Sequence, residues 1–152
     1  MTSGAWIAVG AVVLALAFGL WRLGTDGRFR GTHVVRRGAQ SRAAAAVPDE
    51  QPAADLVAAL GQPLGERATL LQFSSAFCAP CRVTRRVLAD VAGLVDGVTH
   101  VEVDAEHHLE ATRALGILRT PTTVVLDAAG TEVTRATGAP TRDQVLSALA
   151  RA

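Results

Sequence analysis

Cys78 and Cys81 are the only thiols in the chain of 152 residues, and they stand as Cys78-Ala79-Pro80-Cys81. With no further thiol to pair with, a structural disulfide framework is excluded, and a C-x-x-C spacing is either a redox pair or half of a metal site. Structural zinc takes four ligands. The other candidates are His33, His100, His107 and His108, and no second C-x-x-C exists. Adjacent His107 and His108 would point in different directions on a helix or a strand, so no metal is assigned. A dithiol pair needs one ionised sulfur and a second sulfur close behind it. The start of a helix supplies the first condition, because its free N–H groups and partial positive charge favour a thiolate. Cys78 is then the expected nucleophile. Cys81, one helical turn on, is the expected resolving thiol that attacks the mixed disulfide and releases the reduced substrate. Pro80 lacks an N–H, which costs little in a first turn. Arg82, Arg85 and Arg86 add positive charge nearby.

The surrounding pattern places the motif where that chemistry requires it. Asp49 to Leu60 carries apolar residues at 53, 56, 57 and 60, a helical spacing stopped by Gly61 and Pro63. Ala68 to Phe73 reads as a buried strand. Cys78 to Val95 has Val83, Val87, Leu88, Val91 and Leu94 on one stripe, which predicts a helix opening at the motif. Val98 to Val103 predicts a strand and Glu106 to Leu115 a helix ending at Gly116. Thr122 to Leu126 and Thr131 to Ala136 predict a hairpin turning at Ala129-Gly130. Thr141 to Ala150 predicts a last helix with Thr141 as its N-cap. The order α-β-α-β-α-β-β-α implies an α/β domain over residues 48–152, a mixed sheet with helices on both faces.

Charge divides the chain. Residues 1–21 carry no charged side chain, residues 22–47 carry six arginines against one acid, and residues 48–152 carry nine arginines against thirteen acids. The acidic remainder argues against nucleic-acid binding, which wants a basic face. Ala5 to Trp21 is seventeen residues without a polar side chain, with Trp6 and Trp21 near its ends. That pattern predicts one N-terminal transmembrane helix over residues 1–23, touching membrane lipid, with a tryptophan at each interface. A cleaved signal peptide fits less well, because no basic residue precedes the apolar run. Residues 24–47, with Gly24, Gly27, Gly31 and Gly38, predict a basic flexible linker. Arginines on the C-terminal side of the anchor place the domain in the cytoplasm by the positive-inside rule. The expectation is thus a single-pass plasma-membrane protein with a cytoplasmic catalytic domain, an outward-facing domain being the alternative.

The segment Leu70 to Arg82, LLQFSSAFCAPCR, resembles the active-site segment of thioredoxins: a strand ending in Phe, an aromatic residue, C-x-P-C and a basic residue. Val101 to Asp104 is similar to the family's next strand, Gly116 to Pro121 to the stretch ending in its cis-proline, Asp127 to Thr131 to its hairpin turn, and Gly138 to the glycine after its last strand. The resemblance covers about residues 48 to 152. It implies a thioredoxin-like fold, a cis Thr120-Pro121 bond beside the cysteines, and a substrate-binding surface of Phe77, Ala79, Pro80, Thr120, Pro121 and Gly138. Three departures stand out. Phe77 replaces the usual tryptophan. Gln72 stands where many thioredoxins bury an aspartate that helps deprotonate the second cysteine. Gln cannot take up a proton, so a water, Glu102 or His100 would serve instead, or resolution would be slow. His100 aligns with the family's buried lysine, although its plain reading is an exposed residue on a strand edge.

These readings predict a protein-disulfide oxidoreductase working as a reductase, without a cofactor of its own. Its partners would be a disulfide-containing protein and an external electron donor such as a thioredoxin reductase. Outward-facing service to cytochrome or secreted-protein maturation, and a thioredoxin-fold interaction module with little turnover, are the alternatives.

Overall fold

A computed structural model describes residues 3–25, 28–31 and 51–152. The order of elements is α1 (Ser3–Thr25), β1 (Phe29–Gly31), α2 (Pro52–Ala59), β2 (Ala68–Ser74), α3 (Ala79–Ala92), β3 (Val98–Asp104), α4 (Leu109–Ala114), β4 (Thr122–Asp127), β5 (Glu132–Thr137) and α5 (Arg142–Leu149). From α2 onward this is the expected order.

The sheet runs β1-β5-β4-β2-β3. β2 pairs parallel with β3 and antiparallel with β4, and β4 pairs antiparallel with β5. β2 is therefore interior, and all seven of its residues are buried. A strand covered on both faces reads as a continuous apolar run rather than an alternation, which is the pattern of ATLLQF. Its side chains split between two cores. Leu71 and Phe73 join Val57, Val101, Val103, Ile117 and Val124 on the face covered by α2 and α4. Leu70 and Ala68 join Leu88, Val91, Val125, Val145 and Leu149 on the face covered by α3 and α5. Each fully buried residue of the size of Phe73 contributes about 1.5–3 kcal/mol.

Local signals set the ends. Thr141 caps α5, and Gln144 completes a capping box, its Oε1 accepting from the Thr141 N–H at 2.8 Å. The β4–β5 turn is closed by Asp127, whose Oδ1 accepts from the N–H groups of Ala129 and Thr131. Gly130 in that turn has φ +83°, and a Cβ there would lie 2.6 Å from Ala54 Cβ, so only glycine fits. α4 is shorter than expected. Residues 105–107 form a turn in which Asp104 Oδ1 accepts from the Glu106 N–H, and that local bond competes with helix.

The N-terminal expectations need two corrections. Residues 29–31, inside the expected flexible linker, form β1 and extend the sheet antiparallel to β5 through the register Phe29↔Ala136. Phe29 packs against the α3–α5 core, which explains why so short a segment joins the sheet. Most of residues 24–47 lies outside the described residues. Second, among the described residues no helix is long and apolar enough to cross a membrane. α1 forms, and Trp6, Leu14, Phe18 and Trp21 are exposed on it. The expected single-pass plasma-membrane placement is therefore overturned, and the orientations read from it lose their basis.

Candidate active site

The cysteine pair stands where β2 hands over to α3. Ser75 to Phe77 turn the chain, and Cys78 is the N-cap of α3 with extended backbone, φ −93° and ψ 98°. Pro80 lies in the first turn, as a residue without N–H can. Cys78 and Cys81 are joined as a disulfide with Cα atoms 5.2 Å apart. The Cys81 N–H is directed at Cys78 Sγ from 3.1 Å. A helix's first-turn donor thus points at the sulfur that would carry negative charge after reduction. The two sulfurs differ in access, since Cys78 is half-buried and Cys81 is 2% exposed.

The other residues expected at the site fall around this pair. Phe77 is 98% exposed, and Ala79 and Pro80 are exposed beside it. The Thr120-Pro121 peptide is cis, as the resemblance implied. Thr120 Oγ1 lies 3.2 Å from Ser75 Oγ, which ties the proline loop to the turn carrying the cysteines. Gly138 donates its N–H to the Pro121 carbonyl at 2.8 Å and has φ +93°, a conformation that favours glycine. The cysteine turn, the cis-proline loop and the end of β5 are thereby linked. Among the described residues no group of three or more His, Cys, Asp and Glu could hold a metal.

A polar layer lies under the motif that the sequence indicated only in part. Gln72 is fully buried, and its Nε2 donates to the Cys81 carbonyl at 3.1 Å. Its Oε1 lies 3.2 Å from His100 Nε2. His100 is half-buried, so the plain reading of an exposed residue is corrected although β3 is an edge strand. Burial pushes its imidazole below the ordinary histidine range; Glu102 opposes this and Arg85 adds to it. Glu102 accepts from Ser74 Oγ and from Arg85 Nη2, each at 2.6 Å. Burial pushes the Glu102 carboxyl up, but the hydrogen bonds from Arg85 and Ser74 and the charges of Arg85 and His100 outweigh it, and the net direction is down. Ser74, Ser75, Arg82, Arg85, Glu102 and Asp104 line a cleft of about 360 Å³ that reaches both cysteines. Sequence reasoning missed Ser75, the Arg85–Glu102 pair and Leu118, which is 95% exposed in the loop before Pro121. Gln72 left a signal: it is the one amide in a strand whose other large side chains are apolar.

Comparison with known proteins agrees with this architecture. A family model described as a thioredoxin-like domain matches residues 54–152. The thioredoxin of Alicyclobacillus acidocaldarius subsp. acidocaldarius is 31% identical over 87 residues, which is 57% of this chain and 82% of that protein. Among solved structures, Fasciola hepatica thioredoxin superposes with a TM-score of 0.54 at 27% identity, covering 65% of this chain and 92% of that one. A mutant thioredoxin from Halobacterium salinarum NRC-1 shares the fold, with a TM-score of 0.52 at 20% identity over 55% of this chain and 73% of that one. A match over residues 54–152, with a C-x-x-C pair closed at the head of α3, leaves one assignment: the chain belongs to the thioredoxin-like family and is a thiol–disulfide oxidoreductase.

Proposed function

We propose that the protein works as a reductase of protein disulfides, with Cys78 as nucleophile and Cys81 as resolving thiol. In the reduced protein the Cys78 thiolate attacks one sulfur of a substrate disulfide. A mixed disulfide forms, and the other substrate sulfur leaves as a thiolate that takes a proton from solvent. Cys81, having lost its proton, then attacks Cys78 Sγ. The Cys78–Cys81 bond forms, and the bond from Cys78 to substrate breaks. The substrate sulfur departs with the electron pair, so the substrate gains two electrons and the protein loses two. An external dithiol donor of the thioredoxin-reductase type restores the reduced pair.

The observation that carries this reading is the asymmetry of the pair: an accessible sulfur at a helix N-cap, receiving the N–H of the buried cysteine one turn on. The exposed faces of Phe77, Ala79 and Pro80, with the Thr120-Pro121 loop and Gly138, serve as the surface on which a substrate strand docks. Proline inside the motif accords with the reducing direction. Reduction of insulin disulfides by the purified protein, with dithiothreitol as donor, tests the proposal. The Cys78→Ser variant is expected to show no turnover above the dithiothreitol background. Undiminished turnover in that variant would refute the assignment.

A further inference from the structure

Gln72 is a fully buried amide inside a fully buried strand, and such a group is retained only where both of its ends find partners. One end faces the Cys81 carbonyl at 3.1 Å. A carbonyl can only accept, so that end must be the amide nitrogen, and the carbonyl oxygen of Gln72 must face His100. Oε1 in turn can only accept, so His100 Nε2, 3.2 Å away, must carry the hydrogen. The chain Nε2–H of His100 to Oε1 of Gln72, then Nε2–H of Gln72 to the oxygen of Cys81, has one consistent direction. A flipped amide would set a donor against the His100 N–H and an acceptor against a carbonyl. The charged groups facing His100 are Glu102 on its own strand and Arg85 on α3, and these two are paired with each other. The hydrogen bonds of Gln72 go to Cys81 and His100, and neither goes to Cys78.

We infer that Gln72 is a positioning residue for Cys81, that His100 locks its amide in the serving orientation, and that the two together govern expulsion of the captured substrate rather than its capture. The inference rests on the dithiol reading above. Attack by Cys81 needs its sulfur held in line with the Cys78–substrate bond while the disulfide within the protein is open. The Cys81 carbonyl is the point at which β2 fixes the first turn of α3. Capture by Cys78 depends instead on the N-cap, to which Gln72 makes no hydrogen bond.

One equivalent of dithiobis-nitrobenzoate, mixed with the fully reduced full-length protein in a stopped-flow instrument, separates the two steps. Each releases a coloured thionitrobenzoate, first when Cys78 is captured and then when Cys81 expels the bound half. Gln72→Leu and His100→Leu are expected to slow the second release by about fivefold, the rate equivalent of one net hydrogen bond, and to leave the first unchanged. His100→Gln keeps an N–H donor toward Oε1 and is expected to restore the wild-type second release. The inference is overturned if both releases slow together, which would mark general loosening. It also fails if the second release keeps its wild-type rate in folded His100→Leu, or if His100→Gln is as slow as His100→Leu. The His100 pair of variants suffices should Gln72→Leu fail to fold. Absence of the first release in wild type would refute the dithiol reading itself, a result separate from these.

Discussion

At the scale of single residues, the two sulfurs differ in chemistry only because the chain differs around them. Cys78 is the N-cap and meets an inward-pointing N–H, while Cys81 is buried within the first turn and held at its carbonyl by Gln72. A cysteine so placed ionises below the ordinary value of about 8.5. In the reduced Cys81→Ser variant, the rate of carbamidomethylation of Cys78 against pH should therefore turn over below that value. A midpoint at or above it would remove the helix from the explanation. Much of this was legible in the sequence, since the spacing of two lone cysteines after an apolar run already suggested the dithiol pair. What Gln72 and His100 do was not legible. Both are polar residues on strands, and only the parallel register of β2 and β3 brings residues 72 and 100 together.

At the scale of elements, strong periodicity predicted well and weak periodicity did not. The stripe of Val83, Val87, Leu88, Val91 and Leu94 identified α3, but Val83 and Leu94 are exposed and the buried face is Cys81, Thr84, Leu88 and Val91. Thr141 identified the start of α5 because its cap is chemical as well as positional. α4 lost its first residues to a turn bonded by Asp104, a competition that residue periodicity does not show. β1 escaped altogether. Three residues are too few for a pattern, and Phe29 joins the sheet through long-range contact with the α3–α5 core. That contact should be measurable. Phe29→Ala is expected to lower stability in urea unfolding, followed by circular dichroism, by about 1–2 kcal/mol, part of the full core cost of a Phe→Ala change. An unchanged midpoint would mean that β1 adds nothing to the domain.

At the scale of the whole molecule, the sheet order puts the cysteine turn, the cis-proline loop and the end of β5 at one end of neighbouring strands, and a polar layer lies beneath the cysteine turn. That layer gives stability a dependence on acid. His100 has a folded pKa below its ordinary 6.5, so the folded state resists protonation, and stability present above pH 6.5 is lost as pH falls through the folded value. Glu102 has a folded pKa below its ordinary 4.5, and its contribution is lost at lower pH still. In urea unfolding of the oxidised protein, His100→Gln should flatten the decline that begins near pH 6.5, while Glu102→Gln should remove the carboxylate's own part below about pH 4.5 and, by taking away the charge that supports a protonated His100, extend the His100 decline to lower pH. A His100→Gln profile parallel to wild type would show that the imidazole does not titrate on unfolding. The function proposed for the whole molecule is exchange of one disulfide for another through a covalent intermediate on Cys78. Mass spectrometry of the reduced Cys81→Ser protein mixed with insulin tests this most directly. A covalent insulin adduct on Cys78, released by dithiothreitol, is the predicted result; no adduct, or an equal one in the Cys78→Ser protein, would contradict the account.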